Sequence, residues 1–511
     1  MPSMLPNSDS PMILLTKAKV RRGQNIVLLV DEIEVNQGEH LVLLGGNGSG
    51  KNIVADLLTG QCRESAIYVL FDQGFVSSLD VHNISFEEQK RLLVREKRFD
   101  VSEYDDTARD EGTSVRRFVS TARVDQDDSS LYQLLEDLGL SKVINQGIRY
   151  LSSGQLRRAQ LARALYAVRD GAPQILVLDN VLESIDRESE QKIRDTLSKV
   201  KNTGQTVIEL CRRPGQILDG SDKFILLRRD GFNLCCEALG SWGEVMKSSH
   251  YKSLVNPQLW ATTNLEKLLE KSSSEPTSLE LLVELRNVNA SYGTKNVLRN
   301  FSWSMSSEHN VLIEGPNGCG KSTLLSLING ENHMAYGQKV FLFGRLRGSG
   351  ETIWETKANF GVVSNEIHYR YLQTRSVIEV VVSGFFDSLG LFSEPSSKQI
   401  ETSKLWLRSI VPSVCFAESY AELSFGQQRL VLLARAMVKL PRVLILDEAC
   451  VGLDDEHIAN FINITDTIVE NSRTRILYVS HENGPRPKCL NKRLSFGANG
   501  ENSFSIIETD L

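Results

Sequence analysis

A set of short motifs occurs twice along the 511-residue chain, with nearly the same spacing each time. The segment GGNGSGKN (45–52) returns as GPNGCGKS (315–322), LSSGQLRR (151–158) as LSFGQQRL (423–430), and ILVLDN (175–180) as VLILDE (443–448). The offsets between the two copies are 270, 272 and 268 residues. Offsets that agree this closely indicate a duplicated domain rather than independent motifs.

Each glycine-rich segment lies between an apolar run typical of a strand and an amphipathic run typical of a helix. In that context the pattern G-x-x-x-x-G-K-[ST] surrounds phosphate groups with backbone N–H donors, while its lysine contacts the β and γ phosphates and its hydroxyl ligates Mg²⁺. The second copy keeps the hydroxyl as Ser322, but the first has Asn52 in its place. The sequence therefore predicts two phosphate-binding loops, of which the second is complete.

Composition excludes several classes of protein. The 58 basic and 64 acidic residues give a net charge of −6, so the chain as a whole shows no electrostatic footprint for binding nucleic acid. Its eight cysteines are scattered without a C-x-x-C pair, which argues against zinc and against a disulfide scaffold and favours a reducing cytoplasm. No apolar run reaches the roughly 18 residues of a membrane helix, and the N-terminal segment lacks the basic start of a secretion signal.

Together the glycine loop, the LSxGQ signature and the apolar strand ending in aspartate resemble the ATP-binding cassette (ABC) ATPase family, over nearly the whole chain. Segments 342–354 and 381–392 are similar to the ModF-type bacterial twin-cassette proteins, named for molybdate transport. The resemblance implies an α/β fold of two tandem P-loop NTPase domains, each with a mainly parallel sheet core, an antiparallel β subdomain and a helical signature subdomain. We expect the cassettes at 1–245 and 279–511, joined by a linker at 246–278.

The resemblance also implies roles in the second cassette, with ATP and Mg²⁺ as cofactors. Glu448 would orient and deprotonate the attacking water and His481 would contact the γ-phosphate, while Ser322, Asp447 and Asn365 would hold the metal. The nucleotide-binding residues of this cassette would be Tyr292, stacked on adenine, and the loop residues Gly315, Pro316, Asn317, Gly318, Cys319, Gly320, Lys321, Ser322 and Thr323.

Asn365 stands where these ATPases usually carry a glutamine that contacts Mg²⁺ and water. One methylene less shortens its reach by about 1.5 Å, and a misplacement near 1 Å can cost on the order of 10²-fold in rate, so we expect slow hydrolysis. In the first cassette the segment ISFEEQ leaves Glu87 and Gln89 as alternatives for the matching residue.

The first cassette departs further from the family pattern. Asn180 replaces the catalytic glutamate, and an amide cannot accept a proton from water. Arg212 replaces the histidine and could clamp a γ-phosphate, and no aromatic residue for adenine stands near Arg22. The nucleotide-binding residues of this loop would be Gly45, Gly46, Asn47, Gly48, Ser49, Gly50, Lys51 and Asn52.

Cassettes of this family work as head-to-tail pairs, in which ATP lies between the loop of one cassette and the signature helix of the other. Pairing within the chain, or in a homodimer, would combine the complete second loop with Ser152, Gly154 and Gln155. The altered first loop would meet Ser424, Gly426 and Gln427. The resemblance thus implies one site that hydrolyses ATP and one that holds it.

Besides a nucleotide-gated scaffold with negligible turnover, two kinds of ATPase fit these residues. The chain would be the cytoplasmic energy-coupling component of an ABC transport system, placed at the inner face of the cell membrane by integral membrane subunits encoded separately. Alternatively, it would be a soluble ATPase that acts as a nucleotide-driven switch on a ribosome, a nucleic acid or a regulatory partner. The family name favours transport, whereas the residues themselves indicate only ATP hydrolysis.

Overall fold

The computed structural model describes residues 13–16, 19–22, 25–29, 32–59, 68–71, 81–85, 88–89, 92–93, 95–96, 112–122, 128–151, 153–167, 174–182, 187–201, 205–230, 233–270, 280–292, 295–316, 319–330, 332, 335–371, 375–480, 484–498 and 504–511. The chain divides into two compact units, 1–257 and 258–511. Among the described residues, none of the helices combines the length and apolarity that crossing a bilayer requires.

The first unit is built on an eight-stranded sheet with the order β2-β3-β11-β10-β5-β9-β8-β7. Strands β7, β8, β9, β5 and β10 run parallel, and β11 is antiparallel to β10. A separate antiparallel sheet has the order β4-β1-β6. The strands are β1 (Ile13–Thr16), β2 (Lys19–Arg22), β3 (Asn25–Leu29), β4 (Ile33–Val35), β5 (His40–Leu44), β6 (Tyr68–Phe71), β7 (Val81–Ile84), β8 (Ile175–Asp179), β9 (Thr206–Cys211), β10 (Lys223–Asp230) and β11 (Asn233–Gly240).

The second unit repeats the parallel core of this arrangement with its adjoining antiparallel strand. Its main sheet has the order β17-β18-β19-β14-β20-β21, parallel except for the final β20–β21 pair. An antiparallel sheet has the order β13-β12-β15-β16. The strands are β12 (Leu281–Tyr292), β13 (Lys295–Ser306), β14 (Val311–Glu314), β15 (Lys339–Leu342), β16 (Arg345–Leu346), β17 (Phe360–Val363), β18 (Val443–Asp447), β19 (Arg475–Ser480), β20 (Lys492–Ala498) and β21 (Phe504–Asp510).

Helices connect the strands in both units. Those of the first unit are α1 (Lys51–Leu58), α2 (Val115–Ser120), α3 (Asp128–Asp137), α4 (Ser153–Tyr166), α5 (Arg187–Lys201), α6 (Trp242–Lys247) and α7 (Ser249–Val255). Those of the second unit are α8 (Thr263–Glu270), α9 (Lys321–Ile328), α10 (Ile353–Ala358), α11 (Asn365–Arg370), α12 (Val377–Val382), α13 (Ser397–Ile410), α14 (Phe425–Met437) and α15 (Asp455–Glu470).

The central strand β5 shows why the apolar runs become parallel strands. All five of its residues are buried, and alternate side chains enter different hydrophobic cores: Leu41 and Leu43 join one, Val42 and Leu44 another. A parallel strand covered on both faces needs such a continuous apolar run. The predicted α/β fold with two tandem cassettes is confirmed.

The segment between the two cassettes is largely helical where it is described. Helix α6 packs on β10 and β11 of the first unit, while α8 packs on α13 and α15 of the second. Trp260 anchors the start of the second unit, because its backbone N–H donates to Asn460 Oδ1 (2.7 Å) and its carbonyl accepts from Asn463 Nδ2 (3.4 Å). Residues 258–270 therefore belong to the packed second unit, and the boundaries 1–245, 246–278 and 279–511 stay predictions.

Candidate functional site

The glycine loop of the second cassette joins the end of β14 to the start of α9. Gly320 is the N-cap of α9 with φ 111°, and a Cβ atom there would lie 2.2 Å from Val297 Cγ1, so glycine is the residue that fits. The buried Lys321 folds back over the loop, where its Nζ donates to the carbonyls of Gly315 (2.6 Å) and Pro316 (3.1 Å).

The described residues of the first loop follow the same pattern around their lysine. Lys51 is also buried, and its Nζ donates to the carbonyls of Gly45 (2.5 Å) and Gly46 (2.8 Å) and to Ser49 Oγ (3.3 Å). The next residue is exposed in both copies and is Asn52 in the first and Ser322 in the second. The described parts of the two loops therefore share the lysine bonded to loop carbonyls and differ in the side chain that follows it.

Both loops fit a phosphate group. Each helix starts at an N-cap glycine that makes no side-chain capping hydrogen bond, and the N–H groups and dipole of such a helix start favour a bound phosphate. Ser322 and Asp447 offer hard oxygen donors, which suit Mg²⁺. In the first cassette Asn52 and Asp179 hold the matching positions.

Glu448 follows the last residue of β18 and is half-buried. Its backbone adopts a left-handed conformation (φ 50°), and its N–H donates to Val479 O at 3.1 Å. Its side-chain Oε2 lies 3.4 Å from the Nδ2 of Asn365, the first residue of α11. The structure therefore brings two of the residues assigned from sequence, Glu448 and Asn365, next to each other.

Arg429 of helix α14 completes this cluster, although the sequence motifs assign it no role. The side chain is fully buried. One guanidinium nitrogen donates to Asn365 Oδ1 and to Val451 O (3.3 Å), and the other donates to Ser364 O (3.2 Å). A sequence signal existed, because Arg157 holds the same place after the LSxGQ signature of the first copy.

Asn180, the counterpart of Glu448, has a different environment. It has nearly the same backbone angle (φ 48°) but is only 5% exposed. Its Nδ2 donates to Asp179 Oδ1, and its Oδ1 accepts from the backbone N–H of Arg212 at 3.3 Å. Arg157 Nη1 donates to its carbonyl at 3.1 Å. Both ends of this amide are thus engaged within the protein.

The residue of the first cassette that matches Asn365 can be located from the strands. Ser364 follows β17 and its Oγ accepts from the N–H three residues later (3.2 Å); Ser85 follows β7 and does the same (3.1 Å). Phe86 is therefore the sequence counterpart of Asn365, rather than Glu87 or Gln89. Residues 86 and 87 lie outside the described part of the chain, and Gln89 is buried.

The signature helix α14 begins as predicted, with a serine at its N-cap. Ser424 Oγ accepts from the N–H of Gln427 (3.3 Å), and Gln427 Oε1 accepts from the N–H of Ser424 (3.0 Å). Gly426 is buried against the ring of His457, since a Cβ atom on it would lie 2.1 Å from the Cδ2 of that ring. In the first cassette Gly154 and Gln155 lie in the first turn of α4, with Gly154 buried.

His457 is itself held by Asp454, the N-cap of α15, whose Oδ1 lies 2.7 Å from His457 Nδ1. Burial lowers the pKa of His457, but the hydrogen bond and negative charge of Asp454 outweigh that effect, so the pKa lies above its ordinary value. The ring also packs edge-on against Trp260 at 6.2 Å.

Some of the site residues predicted from the sequence lie outside the part of the chain that the structure describes. Ser152, Asn317, Gly318 and His481 are not among the described residues, and of Tyr292 only the backbone at the end of β12 is described. Cys319 is buried within its loop and Thr323 is half-buried, whereas Pro316 is exposed. In the first loop Asn47 is half-buried and Gly48 exposed, and Gly50 is the N-cap of α1.

Comparison with known proteins gives a consistent result. The family model described as "ABC transporter" matches residues 30–183 and 298–451. The chain is 30% identical to the ABC transporter ATP-binding protein ModF of Escherichia coli (strain K12) over 94% of its own length and 96% of that protein. It is 25% identical to an uncharacterized ABC transporter ATP-binding protein of Schizosaccharomyces pombe over 69% of each chain.

Solved structures share the fold at low sequence identity. The archaeal ribosome recycling factor aABCE1, crystallised with the ribosomal stalk protein aP1, matches with a TM-score of 0.56 at 15% identity, covering 96% of this chain and 89% of its own. A structure of RNase-L inhibitor matches with a TM-score of 0.55 at 16% identity, covering 96% and 90%. The duplicated motifs, the two matching sheets and the family match together show that this chain belongs to the ABC transporter family as an ATPase with two tandem cassettes.

Proposed function

We propose that the chain hydrolyses ATP at the site built on the loop of the second cassette and holds ATP, without hydrolysing it, at the site built on the loop of the first. The contrast between Glu448 and Asn180 carries this proposal. Glu448 presents a half-buried carboxylate, whereas Asn180 is a buried amide whose two ends already have partners. A carboxylate can take a proton from water and an amide cannot.

In the second cassette the residues divide the work of hydrolysis. Lys321 is placed to meet the β and γ phosphates, and Ser322 and Asp447 would hold Mg²⁺. When bound, Mg²⁺-ATP supplies the phosphoryl group and the charge that neutralises its departure. Glu448 orients the attacking water and accepts its proton, while Asn365 keeps the carboxylate in place. Since the Nδ2 of Asn365 lies within hydrogen-bond distance of Glu448 Oε2, its side chain acts directly on the base.

In the first cassette the same backbone retains nucleotide. Lys51 lies in its loop as Lys321 does, which supports phosphate binding. Three positions differ from the family pattern: the glutamate base is replaced by Asn180, the amide by Phe86 and the histidine by Arg212. Binding without turnover follows, because the charged contacts to phosphate remain while the group that activates water is lost. Pairing of the cassettes, within one chain or between two, would bring each loop to a signature helix.

The wider role that we propose is the energy-coupling ATP-binding component of a transport system, working with separate membrane subunits at the inner face of the cell membrane. The name of the Escherichia coli relative, which is similar over 94% of this chain, supports it. Fractionation of cells that express the tagged protein tests this role. Sedimentation with membranes, and release by disruption of the membrane subunits, are expected. Sedimentation with ribosomes or nucleoid would favour a nucleotide-driven switch instead.

The proposal that one site hydrolyses ATP and the other holds it is tested with the purified protein and its Glu448→Gln variant. We expect turnover to fall by about 10²–10⁴-fold, the usual contribution of a general base, with bound ATP retained. Glu470→Gln is the matched control, because Glu470 is exposed at the C-terminal end of α15, a 16-residue helix whose N-cap is Asp454, and the same change there removes a carboxylate from the far end of that helix. Turnover in Glu448→Gln equal to that of the control would overturn the proposal.

A further inference from the structure

We infer that Arg429 is a positioning residue for hydrolysis in the second cassette: it fixes the amide of Asn365, and that amide fixes the carboxylate of Glu448. The inference rests on the proposed function, because it concerns the orientation of the base assigned there. Arg429 itself contacts neither nucleotide nor water in this scheme.

The contacts of Arg429 join the two segments that carry the site. Its acceptors include Ser364 O and Asn365 Oδ1 at the start of α11, and Val451 O, three residues after Glu448. A fully buried guanidinium is expensive to desolvate and is tolerated only with good hydrogen-bond acceptors. The arginine therefore holds these two segments at a set separation from inside the domain.

Hydrogen-bond chemistry also decides which way the amide of Asn365 faces. A guanidinium has only donors, so the atom that meets Arg429 must be the amide oxygen. The NH₂ group of Asn365 must then face the other way, towards Glu448, where it lies 3.4 Å from Oε2. The amide thereby holds one oxygen of the carboxylate in a fixed direction. Without Arg429 the amide could turn over and present its oxygen to the carboxylate, which would repel it.

The first cassette shows what the same arginine does without this relay. Arg157 matches Arg429 in sequence, and its Nη1 donates to the backbone carbonyl of Asn180. The counterpart of Asn365 is Phe86, whose side chain offers no hydrogen-bond acceptor. In the first cassette Arg157 thus holds the backbone of Asn180. In the second cassette Arg429 also holds a side chain, the amide of Asn365.

The experiment is a double-mutant cycle on the full chain with Arg429→Met, Asn365→Ala and the two combined. Each single change should lower kcat by about 10–100-fold, the loss that follows from a misplacement near 1 Å, with the KM for ATP changed less than about threefold. The double variant should be no slower than the slower single variant, because both changes break the same relay. Arg429→Lys should recover part of kcat, since a charged donor is restored.

Arg435→Met is the matched structural control. Arg435 lies on the same helix and is buried, but its side chain donates to Tyr371 Oη (2.9 Å), Ser383 Oγ (3.2 Å) and Ser388 O (3.1 Å), away from the base. It should lower the unfolding temperature as Arg429→Met does while kcat, counted per folded molecule, stays within about twofold of wild type.

The outcomes separate the two proposals. If Glu448→Gln abolishes turnover while Arg429→Met is as active as Arg435→Met, the positioning role is wrong and the proposed function stands. Additive losses in the double variant would also contradict the relay. If Glu448→Gln retains full turnover, the proposed function itself fails, whatever Arg429→Met shows.

Discussion

The two cassettes have similar backbone conformations around their candidate nucleotide sites and differ there in a few side chains. The main sheets have the same strand order around the glycine loop, and the residues after β8 and β18 adopt left-handed angles of 48° and 50°. Yet one position carries a half-buried glutamate and the other a buried asparagine. The comparison teaches that the backbone of this site is maintained independently of its chemistry, so a copy that loses the base can keep the shape that binds nucleotide.

The largest expected difference between the copies concerns their lysines. Lys321→Met should lower ATP turnover by about 10²-fold or more, because it removes the charge that meets the phosphates in the hydrolysing site. Lys51→Met should instead lower the number of nucleotides retained per chain from about two to about one. Turnover assays and nucleotide extraction from purified protein measure both. Equal losses of turnover in the two variants would contradict the proposal that one loop hydrolyses ATP while the other only holds it.

A second test tries to convert one cassette into the other. We expect Asn180→Glu, introduced into the Glu448→Gln protein, to restore no turnover, because Asn52, Phe86 and Arg212 remain. The change should also destabilise the first cassette by about 1–3 kcal/mol, the cost of leaving buried polar groups without partners. ATP turnover and thermal unfolding report the two effects. Restored hydrolysis would mean that the base alone separates the copies.

A third test concerns the close packing at the signature of the second cassette. Gly426→Ala should destabilise this cassette by about 1–3 kcal/mol, because its new methyl group meets the ring of His457. Combining it with His457→Ala should recover most of that loss, since the smaller residue makes room. Calorimetry that resolves the unfolding of the two cassettes provides the measurement, and an unchanged loss in the combination would place the strain elsewhere.

The smallest expected effect is a pH dependence confined to the second cassette. The pKa of His457 lies above its ordinary value, so its stabilising contribution is fully present below the unfolded pKa of about 6.5 and is lost as pH rises through the folded pKa. Ser189 occupies the matching position of the first cassette. The difference in unfolding temperature between wild type and His457→Gln should therefore be larger at about pH 5.5 than at about pH 8.5. A difference that does not vary with pH would show that His457 contributes by packing alone.

The duplication and the loops could be predicted because their signals are local. Glycines, a lysine and an apolar run at fixed spacing specify the strand, loop and helix around Lys321 whatever surrounds them. The strand ending in Asp447 and the capped start of α14 at Ser424 follow from the same kind of pattern.

Arg429 could not be assigned in the same way. In the sequence it is one of two arginines on its helix, and only tertiary packing reveals that it is fully buried beside Asn365. The match of Phe86 to Asn365 likewise depends on strand register, because the two segments have little sequence in common. The polar composition of segment 246–278 also could not show that Trp260 and α8 pack on the second unit. That packing depends on residues such as Asn460, which lies 200 positions later in the sequence.

That long separation bears on how the chain acquires its structure during synthesis. Trp260 and the buried Leu265 and Leu269 are translated before every strand of the second cassette, while Asn460, which accepts from Trp260, comes 200 residues later. At about 5–20 residues per second, the ribosome needs about 10–40 s to deliver that partner. During this interval the first cassette can already fold, whereas the apolar side of α8 stays exposed to solvent because its partners have not yet been synthesised. This short segment should therefore be a chaperone-binding site of the nascent chain until its partners are translated, and its docking should accompany the completion of the second cassette.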